Sequence, residues 1–528
     1  MNKNIISIII CLFLIQLNAS AQKKEIVAYY PEWGPALRNY YIKNIETSGS
    51  ADKITVLNYA FIVPAPDSSG TLLANLMNPY LDYQQIYSSD ISIDGVADDS
   101  LQLLRGQFNQ LKKLKAMHPH LKIVLSIGGW TGSTWFSDAA LTPHSREKFV
   151  DDCIDKFIFG NLPQANHAGG NGIAAGIFDG FDIDWEFPVV GGDDGMHHNK
   201  NDRDNLSELL KLFRNKLDAL KPGFLLTAAI PARGADLWKF NLSKDQSIMD
   251  WYNLMTYDFH GSWDDKADHH TNLYSSPADT IFPGIKESFA GSVLYLIDSV
   301  GINPQKIVPG AAFYGKGWKV TSTANNGLYQ KGSIAKGISD PGSNDYKTLD
   351  SLMISGYNYL WDKDAMAPYL FNTKDSTFWT FDDQASVALK ARFAYSHNLR
   401  GLMFWEISGD DSMGTLVNTI ASRNMTDIKM HKIRPGKKFP SISLLIASNA
   451  KPFPAGSDVL LNINEIKIND PIVKVEYFVD NISIGYNTKS PFSWVWFNVR
   501  KGKHKLSAAA IDSDGNKKYS PKVSVLVK

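Results

Sequence analysis

The sequence GIFDGFDIDWEFP, residues 176–188, places three carboxylates at every second position of an otherwise apolar segment. These residues are Asp182, Asp184 and Glu186. Because a β-strand alternates its side chains between two faces, all three carboxylates point to the same side. Crowding three acids on one side of a buried strand costs desolvation and mutual repulsion. Such a cost indicates a functional site.

Eight apolar, β-rich segments recur along the first four-fifths of the chain, and helical periodicity separates several of them. Near-continuous apolar strands that alternate with helices are typical of a parallel sheet covered on both faces. Eight such units over roughly 400 residues predict an α/β fold, the (β/α)8 TIM barrel. An open doubly wound sheet is the alternative, but no Gly-rich nucleotide turn follows any early strand. The eight segments are residues 25–30, 54–63, 122–130, 176–187, 224–232, 250–259, 306–315 and 399–407.

The barrel gives the three acids an order. Phe181, Ile183 and Trp185 have the opposite parity and should pack outward against helices, so the acids face the barrel axis. Glu186 comes last and should lie at the mouth, whereas Asp182 is deepest. Closely spaced buried carboxylates share protons, which raises at least one pKa and suits a general acid at neutral pH.

A salt-bridged barrel core or a metal site could also contain such a series of acids. A salt-bridged core needs inward Lys or Arg, and none of the eight segments offers one in mid-strand. A metal site is disfavoured because no histidine belongs to the series, which argues against zinc, and calcium prefers carboxylates on flexible loops. We therefore predict acid–base chemistry with no metal and no cofactor.

Composition divides the chain further. A hydrophobic run followed by small residues predicts a secretory signal peptide over residues 1–21, ahead of a barrel domain over residues 22–424. The interval between strands seven and eight is too long for a simple loop, which predicts a structured insertion at about 318–383. Residues 425–440 are basic, carry Pro and Gly and read as a linker. About seven short alternating strands over residues 441–528 predict an all-β, immunoglobulin-like sandwich.

Charge and hydropathy exclude several classes of partner. Lys plus Arg and Asp plus Glu both number 54, so no net field attracts nucleic acid or an anionic membrane. The N-terminal hydrophobic run is shorter than the roughly 20 residues of a spanning helix, and no other segment could cross a bilayer. We expect a monomer without a membrane span, secreted outside the cell or into a periplasm. Cys153 is interpreted as a buried hydrophobe, since no histidine lies near it in the sequence.

The segment DGFDIDWE, residues 179–186, matches the DGxDxDWE signature of glycoside hydrolase family 18, the chitinases. The resemblance extends from about residue 25 to residue 424. SIGGW at 126–130 resembles the SxGG element of strand three, and MTYDFHGSW at 255–263 resembles the motif of strand six. The insertion is similar to an α+β module that deepens the cleft in one branch of the family.

The resemblance implies a reaction in which the substrate supplies its own nucleophile. Glu186 would act as the general acid/base and protonate the glycosidic oxygen, after which the 2-acetamido carbonyl attacks the anomeric carbon with net retention. Asp184 would orient the acetamido N–H, and Asp182 would modulate the protonation of Asp184. Tyr257 would hydrogen-bond the acetamido oxygen, and Asp258 would help to hold the distorted sugar.

The resemblance also implies a substrate, chitin or chitooligosaccharides, and a set of residues that bind it. Trp405 would form the floor of the subsite that holds the sugar at the cleaved bond. Trp130 and Trp263 would stack on neighbouring sugars, because indoles match the apolar faces of sugar rings. Lys316 stands where many members of the family have Arg, and a lysine cannot form a forked, bidentate contact. The remaining predicted binding residues are Tyr30, Met255, Gly128 and Gly129.

Two further functions are compatible with this barrel. An endo-β-N-acetylglucosaminidase acting on N-glycans shares the acidic series, although a cleft-deepening insertion disfavours a branched substrate. A non-catalytic chitin-binding lectin shares the scaffold but typically lacks the terminal acid, which is present here as Glu186. In the C-terminal region, Trp494 and Trp496 share one face of a strand, as expected of a sandwich core or, alternatively, of a binding stripe.

Overall fold

Eight parallel strands close into a barrel in which each strand pairs with its neighbours along the chain. They are β1 (Glu25–Pro31), β2 (Val56–Pro66), β3 (Lys122–Gly128), β4 (Gly180–Asp184), β5 (Leu225–Pro231), β6 (Trp251–Met255), β7 (Ile307–Ala312) and β8 (Gly401–Trp405). Parallel pairing of β1 with both β2 and β8 completes the ring. The predicted (β/α)8 fold is therefore confirmed. An extra strand, Leu72–Leu76, runs antiparallel to the end of β2.

The structure is a computed structural model, and ten stretches of it are described. The predicted signal peptide (1–21) and the predicted linker (425–440) lie outside them. The described residues are 24–278, 287–338, 340–352, 356–422, 441–446, 452–467, 472–488, 492–497, 499–512 and 517–528.

Alternation along each strand separates two apolar layers. One parity fills the barrel interior, with Val27, Val124 and Met403 among its members. The opposite parity, which includes Phe181 and Ile183, packs outward with the helices in the main core. Burial on both faces explains why the strands read as continuous apolar runs.

Helices cover the outside of the barrel because their apolar residues recur at helical spacing. In Asp202–Leu220 the buried positions Leu206, Leu209, Leu210, Phe213 and Leu217 form one stripe. Cys153 is buried at the end of another helix, as predicted. Among the described residues, no helix combines the length and apolar character needed to cross a membrane. The α-helices are Gly34–Arg38, Ile42–Thr47, Gly106–Met117, Phe136–Leu141, Pro143–Cys153, Asp202–Leu220, Gly234–Leu237, Leu242–Asp245, Phe289–Tyr295, Tyr346–Leu352, Gln384–Ser396 and Thr415–Ala421.

The insertion between β7 and β8 is a six-stranded sheet with one helix, Tyr346–Leu352. Its first strand already begins at Tyr314, because the chain turns into it directly after β7. Trp318, Phe371 and Phe378 belong to a separate apolar core of this sheet. The predicted α+β insertion is thus present, as part of the confirmed fold class. Its strands are Tyr314–Val320, Gly332–Ile334, Ser343–Asp345, Asn358–Asp362, Ala367–Asn372 and Thr377–Phe381.

The C-terminal region contains two antiparallel sheets with a common core. Trp496 is buried in this core and Trp494 packs against it, so the indoles contribute to the sandwich interior rather than to an exposed stripe. The all-β character is confirmed, while the immunoglobulin-like type remains a prediction. One sheet contains Ser441–Ile446, Val459–Lys467 and Trp494–Trp496, and the other contains Ile472–Val479, Ile482–Asn487, Gly502–Asp512, Lys517–Tyr519 and Val523–Val527.

Candidate active site

Asp182 is fully buried at the centre of the barrel, where four neutral groups donate hydrogen bonds to its carboxylate. The Tyr29 hydroxyl and the Ser126 hydroxyl each lie 2.8 Å from Oδ2. The Thr227 hydroxyl lies 2.6 Å and the Asn253 amide 3.0 Å from Oδ1. Burial raises the pKa of Asp182, but these four donors oppose that shift and favour the ionised form. No lysine or arginine takes part in these contacts, so the carboxylate is not held by a salt bridge.

Strand register brings these donors to one level of the barrel. Ser126 and Thr227 are the direct register partners of Asp182 on the strands that flank β4. Tyr29 and Asn253 come from β1 and β6, and Asn253 also donates to the Tyr29 hydroxyl at 3.1 Å. Four strands therefore hold the deepest acid in one orientation.

Asp184 lies one step nearer the mouth, where two glycines allow the backbone of β3 to approach. Gly128 has φ +110°, and a Cβ there would lie 2.2 Å from the carbonyl oxygen of Asp184. The Gly129 N–H donates to that same carbonyl at 2.8 Å, and a Cβ on Gly129 would lie 2.5 Å from the Phe61 ring. A side chain at either glycine would therefore prevent this close packing at the end of β3.

The Asp184 carboxyl group has a buried Oδ1 without a hydrogen-bond partner among the described residues. Burial raises the pKa of Asp184 well above its ordinary range, and the nearby charges of Glu186 and Asp182 raise it further. An acid held in this state is able to exchange a proton with its neighbours and to accept a hydrogen bond from a ligand.

Glu186 follows the end of β4, so the chain places it at the barrel mouth. Its N–H donates to the Ser133 hydroxyl at 3.0 Å, which fixes the backbone there. Burial and then the charge of Asp258 raise the pKa of Glu186 from 4.5 to about 8. Glu186 is therefore protonated at neutral pH and can donate a proton.

Tyr257 and Asp258 lie just beyond the end of β6, beside the partly buried Met255. The Tyr257 hydroxyl donates a weak hydrogen bond to the Met403 sulfur at 3.8 Å, which a stronger acceptor can replace. Burial raises the pKa of Asp258, but Lys316, His270 and Tyr314 together lower it by more. The pKa of Asp258 therefore lies below its ordinary range. The structure therefore brings the five predicted catalytic residues into one cluster that extends from the barrel centre to its mouth.

An aromatic group forms the floor beside these acids. The Trp405 ring stacks on Phe61 at a centroid distance of 5.6 Å and an interplanar angle of 17°. Tyr29 and Trp33 flank Trp405 at centroid distances of 5.5 and 6.3 Å. Packing on three sides fixes the indole plane while leaving the side chain partly accessible.

Two other predicted indoles are half exposed at strand ends. Trp130 follows β3, is 50% exposed and donates from Nε1 to Asp193 at 3.2 Å. Trp263 follows β6, is 54% exposed and lies against Gly261, where a Cβ would lie 2.5 Å from the ring. Exposed, fixed indoles at the barrel mouth suit the role of stacking platforms.

Tyr30 departs from the prediction that it lines the pocket. Its side chain has the outward parity of β1, where it is fully buried and stacks on Tyr59 at 5.9 Å. Its hydroxyl donates to the Tyr40 carbonyl at 3.3 Å. The preceding residue, Tyr29, points inward instead and contacts Asp182. Two adjacent tyrosines on a strand must face opposite sides, and the sequence interpretation chose the outward one.

Sequence reasoning also missed several residues that contact the acids or the floor. Ser126, Thr227 and Asn253 are polar residues at inward positions of apolar strands, and that mismatch was an available signal. Phe61 and Trp33 gave no such signal, because an aromatic residue in an apolar strand is usually a core residue. Within the described residues, no group of three or more His, Cys, Asp or Glu side chains is arranged to hold a metal.

Comparisons with known proteins agree with this geometry. The family model described as "Glycosyl hydrolases family 18" matches residues 25–410. "Chitinase A1" of Niallia circulans is 34% identical over 447 residues, covering 77% of this chain and 60% of that protein. "Chitinase C" of Streptomyces lividans is 35% identical over 396 residues, covering 74% of this chain and 58% of that protein. The chain thus matches about three-fifths of the length of these curated relatives.

Among solved structures, the catalytic domain of psychrophilic chitinase B from Arthrobacter TAD20 superposes with a TM-score of 0.70 at 33% identity. The match covers 76% of this chain and 95% of that domain. Chitinase ChiA74 from Bacillus thuringiensis gives a TM-score of 0.64 at 27% identity, covering 95% of this chain and 84% of that one. On the family match and these relatives together, the chain belongs to glycosyl hydrolase family 18.

Proposed function

We propose that the protein is a secreted chitinase that hydrolyses the β-1,4 bonds between N-acetylglucosamine units of chitin with retention of configuration. The observation that carries the proposal is Glu186 at the barrel mouth, which is protonated at neutral pH and lies next to a second acid, Asp184, with a free oxygen. Relatives of the chain are named chitinases, which supports chitin as the substrate.

The proposed reaction uses the substrate as its own nucleophile. Glu186 donates its proton to the glycosidic oxygen as the bond to the anomeric carbon breaks. The 2-acetamido carbonyl oxygen attacks that carbon from the other face, giving an oxazolinium intermediate. The Glu186 carboxylate then removes a proton from water, which opens the intermediate and restores the original configuration.

Neighbouring residues would hold the acetamido group in position. Asp184 accepts the acetamido N–H at its free Oδ1 and balances the positive charge of the intermediate. Tyr257 donates to the acetamido oxygen, since its hydroxyl has only a weak sulfur contact in the protein. Asp182, held by its four donors, modulates the protonation of Asp184. Asp258 helps to hold the distorted sugar at the cleaved position.

A linear substrate would lie across the aromatic floor. Trp405 carries the sugar at the cleaved bond, and Trp130 and Trp263 carry its neighbours along the chain. The insertion forms a wall beside this path, which favours long linear chains over the branched glycans of an endo-β-N-acetylglucosaminidase. A chitin-binding lectin is not favoured, because a lectin has no use for a buried acid at the mouth.

We also propose the domain organisation and localisation. Residues 1–21 direct secretion, outside the cell or into a periplasm, and residues 22–424 form the catalytic domain. Residues 425–440 link it to an immunoglobulin-like domain at residues 441–528. Since both tryptophans of one strand belong to the core of this domain, we assign it a spacer role.

Substitution of Glu186 by Gln tests the proposed function, because Gln keeps the shape and removes the proton. We expect no measurable release of soluble products from chitin, with binding to insoluble chitin retained. Glu32→Gln is the matched control. Glu32 is also buried, and burial also raises its pKa, to about 7. It lies outside the barrel interior, where its backbone carbonyl accepts a hydrogen bond from the Gln107 side chain. Turnover by Glu186→Gln above a few per cent of wild type would contradict the proposal, provided that both variants fold.

A further inference from the structure

The two oxygens of the Asp258 carboxylate have different surroundings. Oδ1 is inaccessible to solvent, yet the side chain as a whole is 40% exposed. The exposure therefore comes from the remaining atoms of the side chain, which include Oδ2. Asp258 also has φ +55°, an unusual backbone conformation for a residue other than glycine. Asp258 is thus held with Oδ1 turned into the protein and the rest of its side chain partly exposed.

Lys316 provides the cation on the inward side. It belongs to the first strand of the insertion, and its Nζ lies 3.3 Å from Asp258 Oδ1. The same Nζ lies 5.1 Å from the centroid of the Tyr314 ring and 5.6 Å from that of Trp263. Its side chain is only 17% exposed, so this ion pair is poorly screened by water.

His270 approaches the same oxygen from the loop after β6. It is fully buried, and its interaction with the Asp258 carboxylate opposes the effect of burial on the pKa of the ring. Its Nδ1 lies 3.7 Å from Asp258 Oδ1. Burial lowers the pKa of His270, so the ring is neutral at neutral pH and acts as a dipole rather than as a second full charge.

We propose that Lys316 and His270 are positioning residues that keep the Asp258 carboxylate ionised and turned toward the cleft as the pH falls. The inference rests on the proposed function and assigns Lys316 to a protein carboxylate instead of to the sugar. Without the cation, Asp258 would be a partly desolvated acid with no compensating charge, and this favours its protonated form.

The groups that face Asp258 are consistent with this role. Tyr257 and Glu186 lie on the side of the barrel mouth, and both interact with the Asp258 charge. His270 comes from the following loop, and Tyr314 and Lys316 come from the insertion. The charge of Asp382 also acts on His270 and Tyr314. Of these groups, Lys316 alone is a permanent cation, so its removal should have the largest effect.

The pH dependence of kcat on a soluble chitooligosaccharide tests the inference. For Lys316→Met we expect the ratio of kcat at pH 5 to kcat at pH 7 to fall about tenfold, which requires the midpoint of the acid limb to rise to about one pH unit above pH 5. Lys316→Arg should restore the wild-type ratio, because Arg retains the charge. His270→Gln should shift the acid limb in the same direction by a smaller amount.

Two outcomes would overturn the inference. One is an acid limb in Lys316→Met that coincides with that of wild type. The other is an increase of KM that is the same at every pH, which would indicate a direct contact between lysine and sugar. In an Asp258→Asn background, Lys316→Met should no longer change the ratio. Glu186→Gln measured alongside reports separately on the proposed function.

Discussion

Replacing Tyr29 with Phe removes one of the four donors that hold Asp182. The lost hydroxyl lies 2.8 Å from Asp182 Oδ2 and accepts from the Asn253 amide at 3.1 Å. A hydrogen bond to a charged group contributes about 1.5–3 kcal/mol. We therefore expect the free energy of unfolding to fall by about 2 kcal/mol. Oδ2 would keep only the Ser126 hydroxyl, so the protonated form of Asp182 becomes more favourable.

Activity should change in the same variant. A change in the protonation of Asp182 also changes that of Asp184, the acid proposed to orient the acetamido group. If about 1.4 kcal/mol of the loss affects the transition state, kcat falls about tenfold. The assay is kcat on a soluble chitooligosaccharide, with unfolding followed by fluorescence in urea.

Tyr30→Phe is the matched control, because this tyrosine is adjacent, equally buried and outward-facing. Its hydroxyl donates to a neutral backbone carbonyl at 3.3 Å. We expect a stability loss of about 0.5–1.5 kcal/mol and a kcat close to wild type. An equal loss of kcat in both variants would refute the assignment of the two tyrosines to opposite faces.

Three further predictions concern the acid, the platforms and a buried ion pair. Because the pKa of Glu186 rises from 4.5 to about 8 on folding, the free energy of unfolding of the wild type should decline across that pH range. Glu186→Gln should therefore be more stable than the wild type at pH 9 by up to about 5 kcal/mol, and equally stable below pH 4. Urea unfolding at both pH values tests this, and equal stability at pH 9 would contradict it. Trp263→Ala should weaken the binding of chitohexaose about tenfold, or about 1.4 kcal/mol, without changing the melting temperature. Affinity measured by calorimetry tests this, and an affinity equal to that of the wild type would exclude a platform role for Trp263. Lys390→Met leaves Asp382 buried without its cation and should lower the free energy of unfolding by about 3–5 kcal/mol. The melting temperature should fall accordingly, and an unchanged melting temperature would show that the ion pair is dispensable.

The barrel and its acidic series were predictable because both depend on short periods in the sequence. Alternation fixes which face Asp182, Asp184 and Glu186 share, and strand position fixes their order. The family resemblance proposed Trp130 and Trp263 as stacking platforms, and both indoles are half exposed. These features need no knowledge of how distant strands pair.

The remaining contacts depend on long-range register, which no local pattern encodes. The donors to Asp182 come from four different strands, and only barrel closure brings Tyr29 beside Asn253. In the pair Tyr29-Tyr30 both residues suit a strand, so composition could not tell the inward from the outward one. The contact of Lys316 with Asp258 depends on how the insertion packs on the loop after β6.

The central claim is that the substrate's own acetamido group attacks the anomeric carbon. Hydrolysis of partially deacetylated chitin, with identification of the sugar at each new reducing end, tests it most directly. The account predicts N-acetylglucosamine at essentially every new reducing end, because glucosamine at the cleaved position has no acetamido carbonyl that could attack the anomeric carbon. New reducing ends that carry glucosamine in proportion to its content in the polymer would contradict the account.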